Sequence, residues 1–168
     1  SSEKTIKSIP IEGGESQVLT RVDAVNSHFE LAWSPDGNEL AYTCRGKIWI
    51  ISKQGGRSKE VKTGLGTDAA ATKIGWSSDG KKIAFTAYGG GRHELHVMEN
   101  FLPRDKLSQQ KDNEEKSLLI RKVIDDTDVK FGGGNVSPDG EYFAFTDWDT
   151  GNLAIYENAT GHKRLLSK

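Results

Sequence analysis

Apolar and polar positions alternate along most of this chain in short runs, and turn-forming residues separate the runs. Three runs, Leu40-Ala41-Tyr42-Thr43, Ile83-Ala84-Phe85-Thr86 and Phe143-Ala144-Phe145-Thr146, share one order: a large residue, Ala, an aromatic, Thr. A period of two marks a strand. It puts the large side chains on one face and Ala or Thr on the other, as suits a sheet packed on both sides by neighbouring sheets. The pattern predicts an all-β chain.

A turn precedes each of these strands. Trp33-Ser34-Pro35-Asp36-Gly37 returns as Trp76-Ser77-Ser78-Asp79-Gly80 and again as Val136-Ser137-Pro138-Asp139-Gly140. Pro presets φ for a turn, Asp bonds backbone N–H groups two residues on, and Gly accepts positive φ, so each segment predicts a hairpin. Third strands follow at Ile48-Trp49-Ile50, Leu95-His96-Val97 and Leu153-Ala154-Ile155, and fourth strands at Val61, Leu118 to Ile124, and Leu165-Leu166. The N-terminus carries only the second half of this unit, with Ile9-Pro10-Ile11-Glu12-Gly13-Gly14 leading to Val18-Leu19-Thr20.

The expected organisation is a single partial domain over 1–168. It comprises a hairpin of a preceding blade at 3–24, a blade at 28–64, a blade at 71–125 and a blade at 130–167. Trp33 and Trp76 are 43 positions apart, but Trp76 and Val136 are 60 apart, which places a polar insertion near 100–116 in the second blade. Its charge-rich composition predicts a solvated loop.

Units near 40 residues with a Trp-Ser-Pro-Asp-Gly turn and an Ile-Ala-Phe-Thr-like strand resemble the TolB-type, WD-like β-propeller repeat. The resemblance runs from about Glu3 to Leu166, with Ser78 in place of Pro and Val136 in place of Trp. It implies four-stranded antiparallel blades, a periplasmic or secreted location, and a ring commonly of six blades, of which three blades plus a hairpin make half. Such a half would leave two apolar blade faces uncovered. Either a C2 homodimer or the remainder of a longer polypeptide would cover them; a strained four-bladed closure would lack two inner strands.

Charge and cysteine content narrow the partners. With 23 basic and 24 acidic residues the net charge is -1, which gives no footprint for nucleic acid. No apolar run reaches the length of a membrane-spanning helix, and Ser1 to Lys7 lacks a signal-peptide core. Cys44, the one cysteine, excludes an internal disulfide and reads as a small buried hydrophobe.

No catalytic motif stands out: there is no Gly-x-Ser-x-Gly elbow, no Walker loop and no His-Glu-x-x-His. No cofactor or metal is expected. His93 and His96 fall on opposite faces of a strand, and Asp36, Asp79 and Asp139 serve their own turns. Asp147-Trp148-Asp149-Thr150-Gly151-Asn152 and Asp125-Asp126-Thr127-Asp128 lack a full calcium-ligand series. Gly89-Gly90-Gly91 and Gly132-Gly133-Gly134 read as flexible loops, and Trp33 and Trp76 as blade-interface residues.

If the chain binds, propeller geometry favours the face with the strand two-to-three turns and the blade connectors. That face gathers Arg45, Tyr88, Arg92, Asp147 and Trp148, with His28, Asp68 and Asp128 from connectors. Tyr, Trp and Arg are the residue types enriched in binding hot spots. The expected function is a non-catalytic module for a protein or peptide partner. The alternatives are an accessory propeller of a prolyl oligopeptidase-like peptidase and a small-ligand or carbohydrate-binding propeller.

Overall fold

The computed structural model describes residues 3–23, 29–101, 119–125, 131–137, 139, 141–147 and 149–166. Strands β1 (Glu3–Ser8) and β2 (Gln17–Asp23) form a hairpin. Blade 1 contains β3 (Leu31–Trp33), β4 (Glu39–Cys44), β5 (Lys47–Ser52) and β6 (Lys59–Val61). Blade 2 contains β7 (Ala69–Trp76), β8 (Lys82–Gly89), β9 (Arg92–Glu99) and β10 (Leu119–Asp125). Blade 3 contains β11 (Phe131–Val136), β12 (Tyr142–Asp147), β13 (Leu153–Glu157) and β14 (Lys163–Leu165). Every blade is an antiparallel meander, so the chain is an all-β partial propeller of three blades and a hairpin. No helix among the described residues is long and apolar enough to cross a membrane.

The repeated turn is closed by its own side chains. In blade 1 the Ser34 hydroxyl donates to Asp36 at 2.7 Å, the Asn38 amide donates to the same carboxylate oxygen at 3.0 Å, and the Glu39 amide donates to Ser34 Oγ at 2.9 Å. Ser77 and Asp79 repeat this set at 2.6, 2.9 and 2.9 Å with the amides of Lys81 and Lys82. Ser137 and Asp139 repeat it with the amides of Glu141 and Tyr142. These bonds hold all three carboxyls below the usual range, the Ser hydroxyl contributing most, and Asp36 falls to about 2.

The Thr of the strand pattern has its own task. Thr43 Oγ1 accepts the Glu30 amide at 3.0 Å, and Thr86 Oγ1 accepts the Lys73 amide at 3.2 Å. In blade 2 this falls at the register shift between Ala71 and Ile74, where the inner strand leaves the ladder. An amide that would lose its backbone partner at a bulge is satisfied by a hydroxyl instead.

Packing follows the two-faced strands. The face of blade 1 with Leu40, Tyr42 and Ile51 packs on Ile6, Leu19 and Val22 of the hairpin. Its opposite face, with Ala41, Ile48 and Ile50, packs on Ile83, Phe85 and Met98 of blade 2. Leu95, on the other side of blade 2, packs on Phe143 and Phe145 of blade 3. The large face of each blade thus fills the small face of the one before it. Each such aromatic or aliphatic side chain contributes roughly 1.5–3 kcal/mol when fully buried.

The two ends of the stack differ. Aligned with β5, β1 has Thr5 and Lys7 where blade 1 has Trp49 and Ile51, and both are exposed. At these two positions the side of the hairpin facing away from blade 1 is polar. The far face of blade 3 is apolar and open, with Leu153 57% exposed and Ala144 exposed, whereas the equivalent Ala41 and Ala84 are buried.

Two expectations change. Trp33 is 45% exposed on β3 rather than packed, while Trp76 lies edge-on to Phe101 at 5.2 Å. Gly132 to Gly134 belong to strand β11, not to a loop. Cys44 is buried as expected, and burial raises its thiol pKa. The segment 102–118, which holds all but the first two residues of the predicted insertion, lies outside the described residues.

Candidate functional site

Three turns and one connector build the predicted face. The β4–β5 turn is Arg45-Gly46, with φ of 52° and 73°, and the β8–β9 turn is Gly90-Gly91, with φ of 57° and 77°. Two-residue turns with both φ positive match the twist of antiparallel strands, and Gly adopts them freely. Arg45 is the exception, since a long L side chain in this region costs about 1 kcal/mol or more. Its guanidinium reaches Asp23 of β2 at 2.7 Å, tying the hairpin to blade 1. Both partners are well exposed, so the pair stabilises by about 1 kcal/mol at most.

The β8–β9 turn displays side chains. Tyr88 and His93 are cross-strand partners whose rings lie 4.7 Å apart and tilted by 42°. Tyr88 is 47% exposed, and Arg92 beside the turn is exposed with no ion pair among the described residues. On the opposite face of β9, Glu94 accepts from Lys122 at 2.9 Å and contacts His96 Nε2 at 2.9 Å. The Lys122 hydrogen bond, then that of His96, lowers the Glu94 pKa. The buried His96 ring stacks on Phe85 at 5.1 Å. His93 and His96 thus occupy opposite faces, as their spacing requires.

Asp147 does something else. It is 0% exposed, accepts from Thr150 Oγ1 at 2.8 Å and from Lys163 Nζ at 3.3 Å, and its main chain bonds Asn152 and Gly151. Thr150, then Lys163, holds its carboxyl below the usual range. As a buried turn-former, it offers a partner no surface. Trp148, His28 and Asp128 lie outside the described residues. Asp68 is exposed on the connector between blades 1 and 2.

Sequence reasoning missed the Asp23–Arg45 bridge and the Glu94–His96–Lys122 cluster, because Arg45 lies 22 positions from Asp23 and Lys122 lies 28 positions from Glu94. Two clefts went unread as well. One, of about 420 Å³, lies between the Arg45–Lys47 turn and the connector from Val61 to Thr67. The other, of about 530 Å³, lies on the inner side, where Glu30, Lys73 and Asn135 meet Thr146 and Leu153. No group of three or more metal-ligating side chains occurs among the described residues.

No protein-family model and no curated protein sequence matches the chain. Solved structures do. TolB from Acinetobacter baumannii superposes with a TM-score of 0.68 at 18% identity, covering 98% of this chain and 37% of that one. A TolB-type protein from Agrobacterium tumefaciens gives 0.70 at 18% identity, covering 100% and 55%. An oligogalacturonate lyase from Vibrio parahaemolyticus gives 0.67 at 13% identity, covering 99% and 43%. The chain therefore spans about half the length of these proteins or less. Such likeness establishes architecture and not activity. With its repeated Ser-x-Asp turns, its two-faced blades and these neighbours, the chain has a TolB-like β-propeller fold.

Proposed function

We propose that this chain is a non-catalytic binding module that engages a protein or peptide partner on the face bearing the β4–β5 and β8–β9 turns. The observation that carries this reading is the Tyr88–His93 ring pair beside a two-glycine turn, with exposed Arg92, which has no ion pair among the described residues, next to it. Aromatic and Arg side chains held in place lose little entropy on binding, which is why they dominate hot spots. In this reading residues 1–168 act as one partial propeller in a periplasmic or secreted protein, a location supported by the TolB resemblance.

Peptides selected on the immobilised chain supply the test. Tyr88→Ala and Arg92→Ala should each weaken the selected binders about tenfold or more, on the order of 1.4 kcal/mol. If both variants bind unchanged, this face is not the binding site.

A second reading, a small polar ligand or carbohydrate, is favoured by the inner cleft with Glu30, Lys73 and Asn135 and by the likeness to an oligogalacturonate lyase. Titration with galacturonate oligomers separates the two readings: a saturable rise in melting temperature supports the second, and no rise supports the first.

A further inference from the structure

The connector from blade 1 to blade 2 reads Lys62-Thr63-Gly64-Leu65-Gly66-Thr67-Asp68, one apolar residue between two glycines and two threonines. Leu65 packs on the core shared by blades 1 and 2, which pins the middle of the segment. Gly64 takes a left-handed φ of 67°, and the Ala69 amide donates to the Gly66 carbonyl at 3.2 Å, so the chain bends on both sides of that anchor. The main-chain amides of Thr63 to Thr67 and the hydroxyls of both threonines make no hydrogen bond among the described residues. A loop pinned by its apolar centre thus carries a run of uncommitted donors.

This segment and the β4–β5 turn line the cleft of about 420 Å³. Arg45, Lys47 and Lys62 contribute cations, and Glu60 is the one acid among the described residues of the lining. Arg45 is held by Asp23 at 2.7 Å and Lys47 by Glu60 at 2.8 Å, each bond using one N–H of a group that has several. Lys62 is exposed and has no ion pair among the described residues. The two bridges therefore fix where the cations stand without exhausting them as donors. Asp68 marks the margin, where a Cβ added to Gly66 would stand 2.9 Å from its Oδ1. Arg45, Lys47 and Lys62 thus meet Asp23, Glu60 and Asp68, and the cleft selects by the placing of its donors rather than by a long-range field.

We propose that this cleft is a binding site for a phosphoryl group, either free or carried on a small ester. An ionised phosphoryl group presents several strong acceptor oxygens and asks for donors on more than one side. The connector supplies main-chain N–H groups and two hydroxyls; the facing turn and Lys62 supply a guanidinium and two ammonium groups. Main-chain amides of glycine-containing loops are suited to anions because no side chain keeps the ligand away, and a Cβ at Gly64 would meet open space. The volume falls within the range of small-molecule sites, which leaves room for the body of an ester. None of these residues is among those that carry the peptide reading, Tyr88, Arg92 and His93, so the two proposals stand or fall independently.

The test follows amide chemical shifts of the whole isotope-labelled chain during titration with inorganic phosphate and with β-glycerophosphate, the ionic strength held constant with potassium chloride. The amides of Thr63 to Thr67 should shift and saturate with a Kd of about 1 mM or tighter. Tighter binding of β-glycerophosphate assigns the phosphoryl group to an ester, and equal or weaker binding assigns it to free phosphate; both support the site. Lys62→Gln should weaken binding about fivefold or more by removing a charged donor, whereas Asp68→Asn should tighten it about twofold or more by removing a repelling carboxylate. Both residues are exposed, so neither change touches the core. Shifts that do not saturate by about 10 mM, that glycerol alone reproduces, or that fall outside the connector and the β4–β5 turn overturn the proposal. So does a Lys62→Gln chain that binds unchanged or an Asp68→Asn chain that binds more weakly.

Discussion

Gly46 of the β4–β5 turn lies directly against Ala70 of β7: a Cβ added to the glycine would stand 2.8 Å from the Ala70 Cβ. The Ala71 amide donates to the Gly46 carbonyl at 2.8 Å, so the inner strand of blade 2 is fastened onto a turn of blade 1. Gly46→Ala meets two penalties at once, a left-handed φ of 73° and a clash with neighbouring main chain. The variant should lose about 2–4 kcal/mol of stability. Urea unfolding should show a lower midpoint at unchanged slope.

Gly134 is required by space rather than conformation. A Cβ there would stand 2.5 Å from both the Ala144 carbonyl oxygen and the rim of the buried Phe143 ring. Gly134→Ala should cost about 1–3 kcal/mol by overpacking. Combining it with Phe143→Leu should recover part of that loss, visible as a coupling energy in a double-mutant cycle. Strict additivity would show that the strand shifts instead of the ring.

These glycines show where the sequence was legible and where it was not. The Ser-x-Asp turns and the large-Ala-aromatic-Thr strands could be read because their causes are local: each turn closes on itself, and strand parity sets the buried face. Gly132 to Gly134 read as a loop because the need for Gly at Gly134 comes from Phe143 and Ala144, which pair with β11 across a bulge. Trp33 read as buried because its motif matches that of Trp76, yet burial depends on the preceding blade, and here that blade is half present. Asp147 read as a displayed acid because its partner Lys163 is 16 positions away on β14. At the candidate site, sequence placed Arg45, Tyr88 and Arg92 on one face but could not give their exposure or pairing.

The three turn aspartates predict an acid limb of stability. A carboxyl whose folded pKa is depressed stabilises the fold fully above its unfolded pKa of about 3.9 and loses that contribution as pH falls toward the folded value. For Asp36 the window runs from the ordinary aspartate value of 3.8 down to about 2, and Asp79 and Asp139 shift in the same direction. Thermal unfolding should therefore be nearly flat from pH 7 to about 5 as far as these groups are concerned, and fall below about 4. In the triple variant Asp36→Asn, Asp79→Asn and Asp139→Asn, the amide oxygen still accepts but no longer titrates. Its difference from the parent should shrink as pH drops through that window. A pH-independent difference would mean that the turns do not hold these carboxyls ionised.

The hydroxyls of Thr43 and Thr86 set a last contrast within the repeat itself. Each accepts an inner-strand amide, from Glu30 and Lys73 respectively, whereas Thr146, third in the same series, makes no side-chain hydrogen bond among the described residues. Thr→Val keeps the shape and removes the acceptor. In Thr43→Val and Thr86→Val a part-buried amide loses its partner, which costs about 1–3 kcal/mol, the lower end applying where water reaches it. Thr146→Val strands nothing, lies on the open face of blade 3, and should change stability by less than about 0.5 kcal/mol. Chemical denaturation of the three variants under one set of conditions measures the difference. Equal losses at all three positions would mean that the repeat keeps Thr for its strand preference, whereas loss at Thr43 and Thr86 alone assigns it to the bulge amide.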